Sequence, residues 1–171
     1  MNTRMTPQPH HNVPAMVPPP NCFSVLVVDD MVPNRLLLRK MLTAAGYSVA
    51  EASDGSEALE MLEQGVVAPD IIITDIEMPR MNGVTLIDGI RNLGGDLAGI
   101  PVIAASGNAD DSMRDNALGA GSDVFLTKPF DFPRLRKEMA KLLKARRGRT
   151  TPRIVVPSQL HERERTGWTA A

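Results

Sequence analysis

Cysteine, net charge and long apolar runs are all scarce in this chain. A single cysteine, Cys22, among 171 residues excludes an intramolecular disulfide and a cysteine-based zinc cluster, and it favours a reducing compartment. No segment reaches the roughly 18 consecutive apolar residues that a membrane span requires. Prolines break up the first residues, so no apolar signal-peptide core of about seven residues forms there. The expected setting is the cytoplasm, with no membrane contact. A net charge of −1 gives no general case for binding nucleic acid or anionic lipid, and no direct DNA binding is expected.

What is present suits one globular domain with room for flexible ends, because 43% of the residues are apolar and 23% charged. Residues 1–22 are rich in proline, contain His10-His11 and lack hydrophobic periodicity, so they read as a disordered tail. The two histidines have no Cys or carboxylate neighbours to complete a metal site. Residues 147–171 read as a basic and polar tail, too short to bury a core of its own, so no output domain is expected. Its Ile154-Val155-Val156 run and Trp168 are the only apolar points of note. The basic cluster between Lys137 and Arg153 reads as cations at a helix C-terminus and a solubilised tail. Both tails are expected to be dispensable for folding.

Between them, residues 23–146 alternate strand and helix patterns. The centre is Ile71-Ile72-Ile73-Thr74-Asp75, a β-branched run that reads as a strand buried on both faces, as in a parallel sheet covered by helices. Further strands are expected at 23–28, 47–51, 100–105 and 123–126. Helices are expected from Pro33 to Gly46, from Asp54 to Gly65, over 84–92, over 110–118 and over 133–146. Leu37/Met41 and Leu38/Leu42 recur four apart on the first helix. Asp54 and Glu57 have the form of a capping pair on the second. Gly94-Gly95 closes the third, and the fourth is poor in large apolar residues. Leu135, Met139, Leu142 and Leu143 form a stripe on the fifth. Five strands alternating with five helices predict an α/β fold, a doubly wound parallel sheet with helices on both faces.

In such a sheet the chemistry lies at the carboxyl ends of the strands. There the sequence places Asp29 and Asp30, Asp75, Ser106 and Lys128, from four different strands. Singly, each has a plain role: an Asp or Ser after a strand caps a helix, and a Lys faces solvent. Their joint placement is not explained by capping. Converging carboxylates repel one another, but together they supply the hard oxygen ligands that Mg²⁺, or Mn²⁺, prefers. Lys128 suits a phosphate oxygen and the Ser106 hydroxyl another. A carboxylate facing a cation and a lysine can act as nucleophile toward phosphorus, giving an aspartyl phosphate.

The motifs Val27-Val28-Asp29-Asp30, Asp75-Ile76-Glu77-Met78-Pro79-Arg80-Met81-Asn82-Gly83, Ala104-Ala105-Ser106-Gly107 and Phe125-Leu126-Thr127-Lys128-Pro129-Phe130 resemble the receiver domain of two-component response regulators. The resemblance covers about 23–146. It implies a flavodoxin-like (βα)5 fold with strand order 2-1-3-4-5. It also implies Asp75 as phosphoacceptor, and Mg²⁺ held by Asp29, Asp30, Asp75 and the Glu77 main-chain carbonyl. Lys128 would contact the phosphoryl group, and Ser106 with Phe125 would form a conformational switch. Glu77 and Asn108 would flank the phosphoryl group. Serine stands where threonine is commoner, and phenylalanine where tyrosine is. Asn34-Arg35 is similar to receivers of hybrid kinases and phosphorelays.

The implied partners are a histidine kinase or histidine phosphotransfer protein upstream and a separate protein downstream. The latter would bind the face of the fourth helix, fifth strand and fifth helix, with the Phe125 ring partly on the surface before phosphorylation. The module is expected to be a phosphoacceptor rather than an enzyme. Two alternatives are a phosphatase using Asp75 and Glu77 as an Asp-x-acid pair, and a constitutive docking module. The first leaves Asp29-Asp30 unexplained, and the second predicts a lost acid or lysine where all are present.

Overall fold

A computed structural model describes residues 22–107 and 110–147. The expectations for the proline-rich start, for Asn108 and for the chain after 147 lie outside the described residues. Within them the first half runs β1 (Ser24–Val28), α1 (Val32–Ala44), β2 (Ser48–Ala52), α2 (Gly55–Glu63), β3 (Ile71–Asp75) and α3 (Gly83–Asn92). The second half runs α4 (Gly95–Ala98), β4 (Val102–Ser106), α5 (Asp111–Gly119), β5 (Val124–Thr127) and α6 (Phe132–Arg147). The five strands form one parallel sheet in the order β2-β1-β3-β4-β5, as expected.

Strand alternation sorts the core into two layers. Val25, Val27, Ile71, Ile73, Ile103 and Leu126 cluster with Leu42 of α1 and Leu135, Met139 and Leu143 of α6. Leu26, Val28, Ile72 and Ala104 face the other way, with Leu62 of α2 and Leu86, Ile87 and Ile90 of α3. Both faces are fully buried, so a one-residue slip of any central strand would exchange the two sets. Each buried Leu or Ile contributes about 2 kcal/mol, and the register is correspondingly fixed.

Three local expectations need correction. Four of the strands begin one or two residues later than expected, at Ser24, Ser48, Val102 and Val124, because the ladder is set by neighbours and not by hydrophobicity alone. Gly94-Gly95 does not simply end a helix. With φ of +75° and +57° the pair turns the chain into the one-turn helix α4, where the Ala98 N–H bonds the Gly94 carbonyl at 3.3 Å. On α1, Leu37 is 59% exposed and only Leu42 is fully buried. Leu38 and Leu42 share the sheet-facing side, and Leu37 lies about 100° round the helix from Leu38.

Arg91, at the end of α3, ties the opposite edge of the sheet. Its guanidinium donates to the carbonyls of Ala98 (2.9 Å), Ile100 (2.8 Å) and Gly121 (2.6 Å) and to the Asp123 carboxylate at 3.2 Å. That carboxylate accepts the Val102 N–H at 2.8 Å. One planar fork of donors thus serves the two connections that lead into β4 and β5.

Candidate functional site

The register brings the acids level. Val28 of β1 pairs with Thr74 of β3, so Asp29 follows beside Asp75. Asp75 pairs with Ala105, so Ser106 stands one residue further along β4. Ser106 pairs with Thr127, and the next N–H, that of Lys128, donates to the Ser106 carbonyl at 2.7 Å. Lys128 starts two strands from Asp75, roughly 10 Å at the usual strand spacing, and its long stem brings the ammonium back. Its Nζ donates to Asp29 Oδ2 and to Asp75 Oδ2, both at 2.8 Å. The Lys128–Pro129 peptide is cis.

Asp29 is 2% exposed and Asp75 8%, while Asp30 is exposed. Burial pushes the Asp75 carboxyl above its ordinary pKa; the Lys128 hydrogen bond and charge pull it down without cancelling that rise, and the Asp29 charge adds to it. Burial also opposes the charge on Lys128, but two carboxylate partners outweigh it and hold the ammonium above its ordinary value. The two directions agree physically. One ammonium gains from both acids, whereas each acid receives part of one cation and feels the other acid.

One carboxylate oxygen from each of Asp29, Asp30 and Asp75 lies within 4.8 Å of the others. Three hard anionic oxygens at one point fit a small divalent cation such as Mg²⁺. The loop leaving β3 is held close: the Gly83 N–H bonds the Ile76 carbonyl at 2.9 Å, and the Glu77 N–H lies 3.3 Å from Asp75 Oδ1. Asn82 caps α3 by accepting the Thr85 N–H at 2.9 Å. Arg80, at φ +65°, pairs with the buried Asp54. Asp54 also caps α2 through the N–H groups of Ser56 (2.7 Å) and Glu57 (3.1 Å). Glu57 reaches back to the Ser53 N–H at 2.7 Å.

Ser106 is fully buried. Its hydroxyl lies 3.3 Å from Glu77 Oε2 and 3.1 Å from Met113 Sδ of α5. Phe125 differs from the expectation of a ring partly at the surface. It is 8% exposed and belongs to the core cluster that includes Ala104 and Ala117. Strand alternation sends Leu126 to one layer and Phe125 to the other, under α5.

The sequence profile of the response regulator receiver domain matches residues 25–140. The chain belongs to the response regulator receiver domain family. Among curated proteins, the response regulator MprA of Mycolicibacterium vanbaalenii is 38% identical over 128 residues, 75% of this chain and 52% of MprA. The sensor histidine kinase CheAY of Helicobacter pylori is 35% identical over 111 residues, 65% of this chain and 14% of that protein. This receiver thus spans about half or less of the length of these relatives. The signal receiver domain of a histidine kinase from Syntrophus aciditrophicus superposes with a TM-score of 0.69 at 29% identity, covering 80% of this chain and 99% of that one. Receiver domains are signalling modules of two-component systems that interact with histidine kinases and downstream effectors. No helix among the described residues of this receiver is long and apolar enough to cross a membrane.

Sequence reasoning found the acids, Ser106 and Lys128, which the fold brings to one edge. It missed the Arg80–Asp54 tie and the contact of Asn34 with Asp29. Arg80 carried no signal, since its partner lies 26 residues away. Asn34 did, as an amide in the first helical turn after an acid pair.

Proposed function

We propose that this receiver accepts a phosphoryl group on Asp75 from a phosphohistidine donor and relays the change to a separate partner protein. The observation that carries the reading is Asp75 itself: a nearly buried carboxylate at the end of the central strand, paired with Lys128 and close to two further acids. An Asp75 oxygen attacks phosphorus, the bond from phosphorus to the donor's imidazole nitrogen breaks, and its electron pair stays on that nitrogen. Lys128 favours the ionised nucleophile and meets the incoming oxygens. Asp29, Asp30, Asp75 and the Glu77 carbonyl would hold Mg²⁺ or Mn²⁺. Once bound, the ion offsets the phosphoryl charge among the acids. The Glu77 side chain and Asn108 bear on how readily water later attacks the acyl phosphate.

Incubation with a phosphohistidine donor or a small phosphodonor tests this. Wild type is expected to take label only with Mg²⁺ or Mn²⁺, and Asp75→Asn to take none; equal labelling of the two would remove Asp75 from the role.

Transmission runs through Ser106. A phosphoryl oxygen on Asp75 is a stronger acceptor for its hydroxyl than Glu77 or the Met113 sulfur, so phosphorylation draws Ser106 from α5. That helix has one fully buried residue, Ala117, and yields readily. The face of α5, β5 and α6 then binds the partner more tightly, by about 1–3 kcal/mol. The core position of Phe125 supports a small rearrangement. Ser106→Ala is expected to keep labelling at Asp75 but lose most of the affinity gain for a captured partner. An unchanged gain on titration would place the switch elsewhere.

A further inference from the structure

Asn34-Arg35 has a definite place beside the acids. Asn34 lies in the first turn of α1, and its Nδ2 donates toward Asp29 Oδ1 at 3.1 Å and Oδ2 at 3.2 Å. The Met31 N–H reaches Oδ1 at 2.9 Å and Lys128 reaches Oδ2 at 2.8 Å. Arg35 holds the main chain beneath: its Nη1 donates to the Asp29 carbonyl at 2.6 Å. The Arg35 side chain is 14% exposed, and its Nε lies 3.7 Å from Glu51 Oε2 on β2. A guanidinium withdrawn that far from water needs replacement partners, and Glu51 and the Asp29 carbonyl supply them. Consecutive residues of α1 thus fix the backbone and the carboxylate of one acid.

Charge decides why the residue on the carboxylate is an amide. Asp29, Asp30 and Asp75 already repel one another. A fourth acid at 34 would repel Asp29, and a second cation there would compete with a metal ion for it. An amide NH₂ orients the carboxylate and adds no charge.

We propose that Asn34 is a positioning residue that presets Asp29 for a divalent cation, with Arg35 and Glu51 fixing the main chain from which Asp29 projects. It acts through Asp29 and touches neither the cation nor the phosphoryl group. This rests on the reading above that the three acids hold Mg²⁺. Partners that orient a metal-binding carboxylate affect affinity about tenfold or more when removed.

Calorimetric titration of the full chain with MgCl₂ tests it, using Asn34→Ala and Asn34→Leu. Leucine keeps the bulk, favours the helix and removes both donated bonds. Both variants are expected to bind Mg²⁺ about tenfold more weakly than wild type, with melting temperatures in EDTA close to wild type. The Mg²⁺ concentration for half-maximal labelling by a small phosphodonor should rise in parallel, while the labelling rate at saturating Mg²⁺ stays within twofold. Wild-type affinity in a folded variant overturns this inference alone. Failure of wild type to bind Mg²⁺ overturns the inference together with the metal reading on which it rests.

Discussion

Lys128→Met is expected to lower the stability of the fold by about 3 kcal/mol near neutral pH, and Mg²⁺ is expected to return much of the loss. Methionine keeps most of the stem, so packing changes little and the charge is what goes. Removing one partner of a buried ion pair costs more than the pair contributes, because the other charge stays behind. Here two carboxylates stay behind, 2% and 8% exposed, with no ammonium between them. The sign with pH follows. Burial already raises Asp75, and without the Lys128 hydrogen bond and charge it rises further. A carboxyl raised in the fold favours folding at low pH and loses that contribution as pH rises through its folded value.

The variant should therefore match wild type near pH 4 and fall away from it toward neutrality. In wild type the raised Lys128 contributes stability that is present below the ordinary lysine value, about 10.4, and is lost as pH rises through the folded one. Urea unfolding of both proteins from pH 4 to 9, with and without Mg²⁺, measures the difference. Parallel profiles would mean that Lys128 does not shield the acids.

Gly83→Ala is expected to cost about 3 kcal/mol or more, against the intrinsic preference of a helix for alanine, which favours it by about 1 kcal/mol. A Cβ at Gly83 would run into the Asp75 carbonyl and stand 2.8 Å from Ile76 Cα. These are backbone atoms, which cannot swing aside as a side-chain end can. The Gly83 N–H is bonded to Ile76 at 2.9 Å, so the first turn of α3 is pressed onto the end of β3. Relief requires α3 to move off the strand, drawing its own Leu86, Ile87 and Ile90 out of the core, or the end of β3 to shift and take Asp75 with it. Denaturant titration reads the stability and phosphodonor labelling reads the site. A variant as stable as wild type would show that the close approach relaxes without cost.

The fold was legible because its determinants are local or periodic. Ile71-Ile72-Ile73, a β-branched run, reads as a strand covered on both sides, and acids after two such runs point to one edge. The arginines were not legible. Arg91 and Arg80 work at the ends of long side chains, on carbonyls and carboxylates set by tertiary placement, and no period in the sequence announces that. The helix α4 hid behind two glycines that read as a stop, since four residues are too few to show a helical period. Leu37 failed because spacing tells which residues lie on one side of an element, but not which side faces in, whereas the surface placement of Phe125 came with the switch that the resemblance implies.

Position 80 shows how such a contact shapes the paths open to a changing sequence. A residue with a side chain at φ +65° carries a backbone cost of about 1 kcal/mol or more, and the ion pair with Asp54 offsets it. Glycine would remove the cost and the pair together. Alanine, serine or leucine would keep the cost and lose the pair. Position 80 therefore has two separated solutions, arginine joined to an acid at 54 and glycine indifferent to it, with less fit residues between them. Asp54 still caps α2 when glycine stands at 80, so that change needs none at 54, whereas losing Asp54 first would leave arginine with the backbone cost and no partner, although neither position touches the acids at the sheet edge.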